Sequence, residues 1–421
     1  MDIYEKLESN VRGYCRSFPV TFTKAQNATL HDNEGNEYID FLGGAGTLNY
    51  GHNNPIFKKA LLEYIEADSI THGLDMHTEA KTAFLESFDN NILQPRKMKY
   101  KVQFTGPTGT NAVEAALKIA RNVTGRQTIV SFTNGFHGVT QGAAAVTANM
   151  YYKESIGMPL AGAAFMPYDG YLGDFDTLIY LEKALSDKSS GLGHPAAVIV
   201  ETIQGEGGLN AGKAEWFQGL QKICKKHDML LIVDDIQAGC GRSGTFFSFE
   251  DFNIQPDIIT LSKSLSGYGL PMAVVLMKPE LDIWKPGEHN GTFRGNNHAF
   301  VTARMAIDTY WKDTEFSDSV KNKAKIIRGR LKEIQAKYGS KVKHKGRGIM
   351  QGLEFADGDI AARITELAFE RGLVIETSGS DNQVVKILTP LTIEESTLSK
   401  GLEILESCVA TTMNEDVAKA S

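Results

Sequence analysis

The chain has 421 residues, 42% apolar and 23% charged, enough to bury a large core and more than one folding unit. Its net charge of -7 is spread without long single-sign blocks, which gives no reason to expect nucleic acid or an anionic membrane as partner. Four widely spaced cysteines, Cys15, Cys224, Cys240 and Cys408, suggest neither a disulfide scaffold nor structural zinc.

The opening Met1-Asp2-Ile3-Tyr4-Glu5 is charged, unlike a signal peptide, and no run approaches the length that crosses a bilayer. A cytoplasmic location is the expectation. The first fifty residues read as a small separate element. In it Tyr38-Ile39-Asp40-Phe41-Leu42 follows the polar turn Asp32-Asn33-Glu34-Gly35, and Gly43-Gly44-Ala45-Gly46 makes a flexible crossing.

From about residue 55 to 310 short apolar strands alternate with helices. Strands are predicted at 128–132, 196–200, 230–234, 257–261 and 272–277. Helical periodicity is strongest over 112–121, where Ala115, Ala116, Leu117 and Ile119 intersperse with Glu114, Lys118 and Arg121. This alternation predicts an α/β architecture, with helices on both faces of a mostly parallel sheet. Residues 298–338 read as long helices, the second with a solvated basic face. From Gly346-Arg347-Gly348 onward, short strands and helices predict a second, α+β domain against the active edge of the sheet.

Four places could carry chemistry. Thr105-Gly106-Pro107-Thr108-Gly109-Thr110-Asn111 precedes the strongest helix, whose first amides lack internal partners and suit a phosphate. A plain capping turn would read the same way, and no lysine completes a mononucleotide loop. Phe136-His137, between Gly135 and Gly138, could lay an aromatic against a planar ring or simply be a core phenylalanine beside a satisfied histidine. Asp234 closes the apolar run Leu230-Leu231-Ile232-Val233, at the strand end where open parallel sheets place their sites. Asp234 and Asp235 together could bind a metal, but no further ligand cluster completes the set, so no metal is expected. Lys263 follows the run from Ile258 to Leu261. It could be a solvated loop lysine, or a buried amine whose depressed pKa makes it nucleophilic.

In combination these residues resemble the class III, or omega-type, aminotransferases of the fold-type I pyridoxal-phosphate superfamily. The likeness runs from Tyr38-Ile39-Asp40-Phe41 to Ile387-Leu388-Thr389-Pro390-Leu391. It passes through Thr108-Gly109-Thr110-Asn111, Phe136-His137-Gly138, Glu201-Thr202-Ile203-Gln204-Gly205-Glu206-Gly207-Gly208, Asp234-Asp235-Ile236-Gln237, Ser262-Lys263 and Thr292-Phe293-Arg294-Gly295-Asn296. It implies a large domain over residues 55–310 with a mostly parallel seven-stranded sheet, and a small α+β domain built from 1–54 and 311–421.

The same resemblance implies pyridoxal 5'-phosphate as cofactor, with Lys263 as Schiff-base lysine and proton shuttle. Asp234 would bond the pyridine nitrogen, Gln237 the phenolic oxygen, and Phe136 would stack on the ring beside His137. Thr108, Gly109 and Thr110 would hold the phosphate, and Thr292 would reach the phosphate of a neighbouring subunit, making a dimer the minimum unit. The alternatives are another omega-aminotransferase, acting on ornithine, 4-aminobutyrate or a related amine, and a regulatory protein on the same fold, which Lys263, Asp234 and Gln237 together argue against.

Many ornithine- and 4-aminobutyrate-type members follow Phe-His-Gly with an arginine that clamps a substrate carboxylate; here the position is Val139. Their C-terminal arginine aligns with Lys386, which keeps the charge but not the two-pronged grip, and Glu206 would be its gating partner. These departures resemble the branch that moves the amine of L-glutamate to L-aspartate 4-semialdehyde, giving L-2,4-diaminobutyrate for ectoine synthesis. A short substrate with its own α-amino-carboxylate head suits a pocket without the arginine. That branch is described as helped by K+ and as assembling beyond dimers, which makes both expectations here.

Overall fold

Strands that are covered on both faces set the centre of the fold. The computed structural model describes residues 3–420, with side chains through residue 415. Seven strands, β1 (Lys101–Phe104), β2 (Ile129–Phe132), β3 (Ala163–Met166), β4 (Ala197–Val200), β5 (Leu230–Asp234), β6 (Ile258–Leu261) and β7 (Val274–Met277), form one sheet in the order β1-β7-β6-β5-β4-β2-β3. Only β7 runs antiparallel to its neighbours; the other pairings are parallel.

Val130, Val198, Val200, Leu231, Val233, Ile259 and Leu261 point into one core. Ile129, Ala197, Ile199, Ile232, Ile258 and Val275 point into another, on the opposite face. A sheet buried on both sides has no polar face, so its strands read as continuous apolar runs. The two strands not predicted, β1 and β3, lie at the sheet edges and are only partly covered, with lysine, glutamine and alanine among their residues.

Helix Gly109–Thr124 packs Ala112, Val113, Ala116, Leu117 and Ile119 against the second face. It extends beyond the predicted 112–121 because capping, not periodicity, sets its ends. Thr108 accepts a hydrogen bond from the Asn111 amide, and Gly125 stops the helix in a left-handed conformation with φ 67°.

A third core gathers residues from both ends of the chain. An antiparallel sheet joins Lys343–Arg347, Met350–Glu354, Val384–Ile387 and Glu376–Ser378 in that order. Its Leu353, Val385 and Ile387 meet Ile327 and Leu331 of helix Glu315–Tyr338, Ile364 of Gly358–Glu370, and Leu398 and Leu402 of Glu395–Ala420. Ile39 and Phe41 enter the same core. Ile39 lies in, and Phe41 just after, the strand Glu37–Asp40 of a sheet that also holds Phe22–Gln26 and Thr29–Asp32 and is completed by the late strand Leu373–Val374, which runs parallel to Glu37–Asp40. No helix among the described residues is long and apolar enough to cross a membrane.

The expected flexible crossing at Gly43–Gly46 is instead a fixed turn, with positive φ at each of its residues. A Cβ on Gly43 would stand 2.5 Å from the Leu388 carbonyl oxygen, so the turn is built on close backbone approach. The Gly46 carbonyl accepts the Ser264 hydroxyl at 2.8 Å, tying the turn to the segment after β6.

Arg242, fully buried, joins these parts. Its Nη1 donates to the Thr389 carbonyl at 2.6 Å and its Nη2 to Asn49 Oδ1, while Asn49 Nδ2 donates to the Cys240 carbonyl at 2.8 Å. Replacing it by Arg242→Leu strands two buried acceptors. The expected cost is roughly 2–4 kcal/mol, measured as a lower thermal midpoint of unfolding; an unchanged midpoint would show that the joint is dispensable.

Candidate active site

β5 and β6 are neighbours in parallel, with Asp234 opposite Thr260, so the acid and the segment that follows Leu261 emerge at one sheet edge. Asp234 is held on several sides. Its Oδ2 lies 2.7 Å from His137 Nδ1, and its Oδ1 accepts the Thr260 hydroxyl at 3.1 Å and the Ile236 amide at 3.2 Å. Burial works against the imidazolium of His137, but the bond and charge of Asp234 outweigh it and raise the pKa.

Asp235 does not converge with Asp234. Its carboxylate turns to Ser248, accepting the Ser248 amide at 3.1 Å, and burial pushes its carboxyl up to about 7. The paired-acid reading of the sequence therefore splits into one acid at the site and one in the scaffold.

Lys263 begins the turn Lys263–Ser266 with φ 45°, a left-handed conformation that costs an L-residue roughly 1–2 kcal/mol. Neighbouring hydroxyls secure it: Ser262 donates to the Met272 carbonyl at 2.9 Å and Ser264 to Gly46. Burial lowers the pKa of the Lys263 ammonium; the charge of Glu206 opposes that shift and the charge of Lys386 adds to it.

A cavity of about 210 Å³ opens at this edge. Of the residues expected from sequence, Gly109, Thr110, Phe136, His137, Asp234, Gln237, Lys263 and Glu206 line it together. Gly138, Glu201 and Ile236 complete the wall. Thr108 stays behind the helix start, donating its hydroxyl to Asn111 Oδ1 at 2.7 Å. Thr292 lies outside the cavity, exposed in the turn Thr292–Gly295. Val139 is also exposed.

The cavity suits a planar ring carrying a phosphate. At one end the amides of Gly109 and Thr110 open a helix, and small size matters there. A Cβ on Gly138 would stand 2.5 Å from Thr110 Oγ1, and one on Gly109 would stand 3.1 Å from Ile236 Cδ1. Phe136 and Ile236 supply apolar walls, Asp234 a fixed carboxylate and Lys263 an amine. The residues present therefore fit pyridoxal 5'-phosphate.

Lys386 does not line the cavity but stands directly behind Glu206. It lies on strand Val384–Ile387, across from Glu376 in the antiparallel register. Its Nζ is 2.9 Å from Glu206 Oε1 and 3.1 Å from Glu376 Oε1. Glu206 projects from the turn of the hairpin Ile203–Gln204/Asn210–Ala211 and also accepts from Gln237 Nε2 at 3.1 Å. Burial alone would lower the Lys386 pKa and raise that of Glu206. Their mutual attraction, joined by Glu376 on the lysine and Lys263 on Glu206, wins in both cases: Lys386 is raised and Glu206 is held at about 2.

Besides the apolar wall residue Ile236, three polar participants were missed from sequence. Glu201 carries the same signature as Asp234, an acid closing the apolar strand β4. Burial raises its carboxyl to about 7, and it accepts the Phe136 amide at 2.9 Å and the Gly205 amide at 3.3 Å, tying two cavity walls together. Glu376 gave no signal, because only the register sets it beside Lys386. Tyr14, whose hydroxyl donates to Glu376 Oε2 at 3.2 Å, reaches it from the opposite end of the chain. A larger cleft of about 630 Å³ lies at the other sheet edge, beside Tyr100 and Pro256, but its Arg96 and Lys278 are paired with Glu250 and Asp257.

Comparison with known proteins places this geometry in context. A sequence profile of the family described as Aminotransferase class-III matches residues 12–409. A diaminobutyrate--2-oxoglutarate transaminase of Halomonas elongata is 60% identical over 410 residues, spanning 96% of this chain and 97% of that protein. One of Bordetella parapertussis is 58% identical over 419 residues, spanning 99% and 96%. The crystal structure of the ornithine aminotransferase of Toxoplasma gondii superposes with a TM-score of 0.84 at 26% identity, covering 98% of this chain and 94% of that one.

Removing the cation between two buried acids gives a direct test of the cluster. Lys386→Met is expected to destabilise the protein by about 3 kcal/mol, seen as a lower thermal midpoint. Adding Glu206→Gln and Glu376→Gln should restore much of that loss, because no unpaired charge remains. A triple variant no more stable than Lys386→Met would refute the charge balance described above.

Proposed function

This chain belongs to the class III aminotransferase family, and on that premise we propose that it moves the amino group of L-glutamate to L-aspartate 4-semialdehyde. The products are L-2,4-diaminobutyrate and 2-oxoglutarate, with pyridoxal 5'-phosphate as cofactor. The full-length likeness to transaminases of that name carries the choice of substrates. The convergence of Lys263 and Asp234 on one cavity supports the class of reaction.

When bound, pyridoxal phosphate supplies an aldehyde that condenses with amines and a protonated ring that accepts the electrons left as a carbon loses its proton. The protein supplies everything that directs this. Asp234, fixed by His137 and Thr260, keeps a negative charge where a proton on the ring nitrogen needs it. Lys263, its pKa lowered by burial, presents a neutral amine more readily than a solvated lysine does. With the cofactor bound, Lys263 would be the group that takes up the proton lost from the substrate carbon bearing nitrogen and gives it back. Gln237 would address the phenolic oxygen, Phe136 and Ile236 would flank the ring, and Gly109 and Thr110, with Thr108 behind them, would hold the phosphate. Lys386, released by Glu206, meets a carboxylate of glutamate.

Thr292 lies outside its own chain's cavity, which supports a role in the cavity of a second copy and so a dimer at least. A cytoplasmic setting fits the same reading. Activation by K+ rests on the family likeness alone, and exchange of K+ for Na+ in the assay tests it.

Glutamate should remove the visible absorption of the holoenzyme and aspartate 4-semialdehyde should restore it. If ornithine or 4-aminobutyrate exceeds 2,4-diaminobutyrate in kcat/KM as amine donor, the substrate assignment fails while the reaction class stands. Lys263→Ala is expected to lose turnover by on the order of 10³-fold or more, together with the lysine-linked absorption band. Asp234→Ala should keep bound cofactor yet lose most of its kcat, and an unchanged kcat would remove Asp234 from the chemistry.

A further inference from the structure

A second cavity, of about 360 Å³, adjoins the first, and Phe136 and Glu206 line both. Its other polar wall groups, including Asn134, Asn149, Tyr152 and Ser380, are neutral. Glu206 is therefore the one charged residue that an entering molecule meets in this outer cavity, among the described residues. While Glu206 holds it, its partner cation is covered: the Lys386 side chain is 0% exposed and that of Glu376 10%, against 27% for Glu206.

The charges behind that surface do not cancel. One ammonium, Lys386, serves two carboxylates, Glu206 and Glu376, and leaves a surplus of one negative charge. Lys263 offsets the surplus only while its amine is protonated, and its burial works against that form. A lone Lys386–Glu206 pair would be neutral and would serve to admit a carboxylate. The third member, placed by the strand register opposite Lys386, changes what the cavity prefers.

Resting on the substrates proposed above, we infer that Glu376 is a specificity-determining residue: its charge leaves Glu206 free to seat the α-ammonium of the acceptor head group in the outer cavity. L-Aspartate 4-semialdehyde and L-2,4-diaminobutyrate carry such a group away from the reacting carbon. Glutamate has a single ammonium, which is consumed in the reaction, and so gains nothing from the surplus. Glu376 acts through Lys386 and Glu206 and touches no substrate itself. Opposite charges at such separations in a partly buried wall are enough to change selectivity measurably.

The test compares amine half-reactions of the holoenzyme by the loss of visible absorption. 4-Aminobutyrate is 2,4-diaminobutyrate without the α-amino group, so in the wild type it should react on the order of tenfold more slowly in kcat/KM. Glu376→Gln should lower the ratio of kcat/KM for 2,4-diaminobutyrate to that for glutamate by a similar factor, whereas Glu376→Asp, which keeps the charge, should hold it. An unchanged ratio in Glu376→Gln overturns the inference. So does an equal fall in Glu376→Asp, or a wild type that uses the two ω-amines equally well. A wild type that converts glutamate but not 2,4-diaminobutyrate instead refutes the substrate reading, and the inference with it.

Discussion

Withdrawing a charge from water costs several kcal/mol unless an opposite charge or fixed dipoles replace the water. The interior around the cavity is organised by that constraint. Asp234 is answered by His137, Thr260 and the Ile236 amide. Lys386 is answered twice, by Glu206 and Glu376. Lys263 is the exception: Glu206 acts on it through space, and its pKa falls. The residue left least compensated is the one whose neutral form is useful.

These compensations need elements far apart in the chain. His137 follows β2, Asp234 ends β5, Glu206 lies on a hairpin after β4, and Lys386 and Glu376 sit on neighbouring strands of the other sheet. The Glu206–Lys386–Glu376 cluster is therefore fixed only when the two sheets are in place together, which gives Arg242 and the Gly43–Gly46 turn their importance as joints. Backbone strain at Lys263 belongs to the same economy. Its left-handed φ persists because Ser262 and Ser264 are bonded on either side.

What could be read in advance follows from the same physics. The inner strands were legible because burial on both faces leaves mostly apolar residues, with Ser131 and Thr260 as small exceptions; β1 and β3 were not, because an edge tolerates Lys101 or Gln103. Asp234 and Lys263 stood out because a charge ending an apolar run is costly and so informative. Glu201 has that signature as well, yet its place in a longer block hid it. Glu376 and Tyr14 leave no local trace, since their meeting with Lys386 depends on strand register and on the docking of the N-terminal segment. Gly43–Gly46 reads as loose because the Leu388 carbonyl that requires its glycine is a long way off in sequence.

The pairing of Glu37–Asp40 with Leu373–Val374 also has a meaning in time. A ribosome adds roughly 5–20 residues per second, so Ile39 and Phe41 emerge on the order of tens of seconds before the strand and helices that cover them. Through that interval the nascent chain carries an early sheet with an open edge and apolar residues beside it. Its yield in a cell then depends on what shields that edge during synthesis as much as on the stability of the finished molecule.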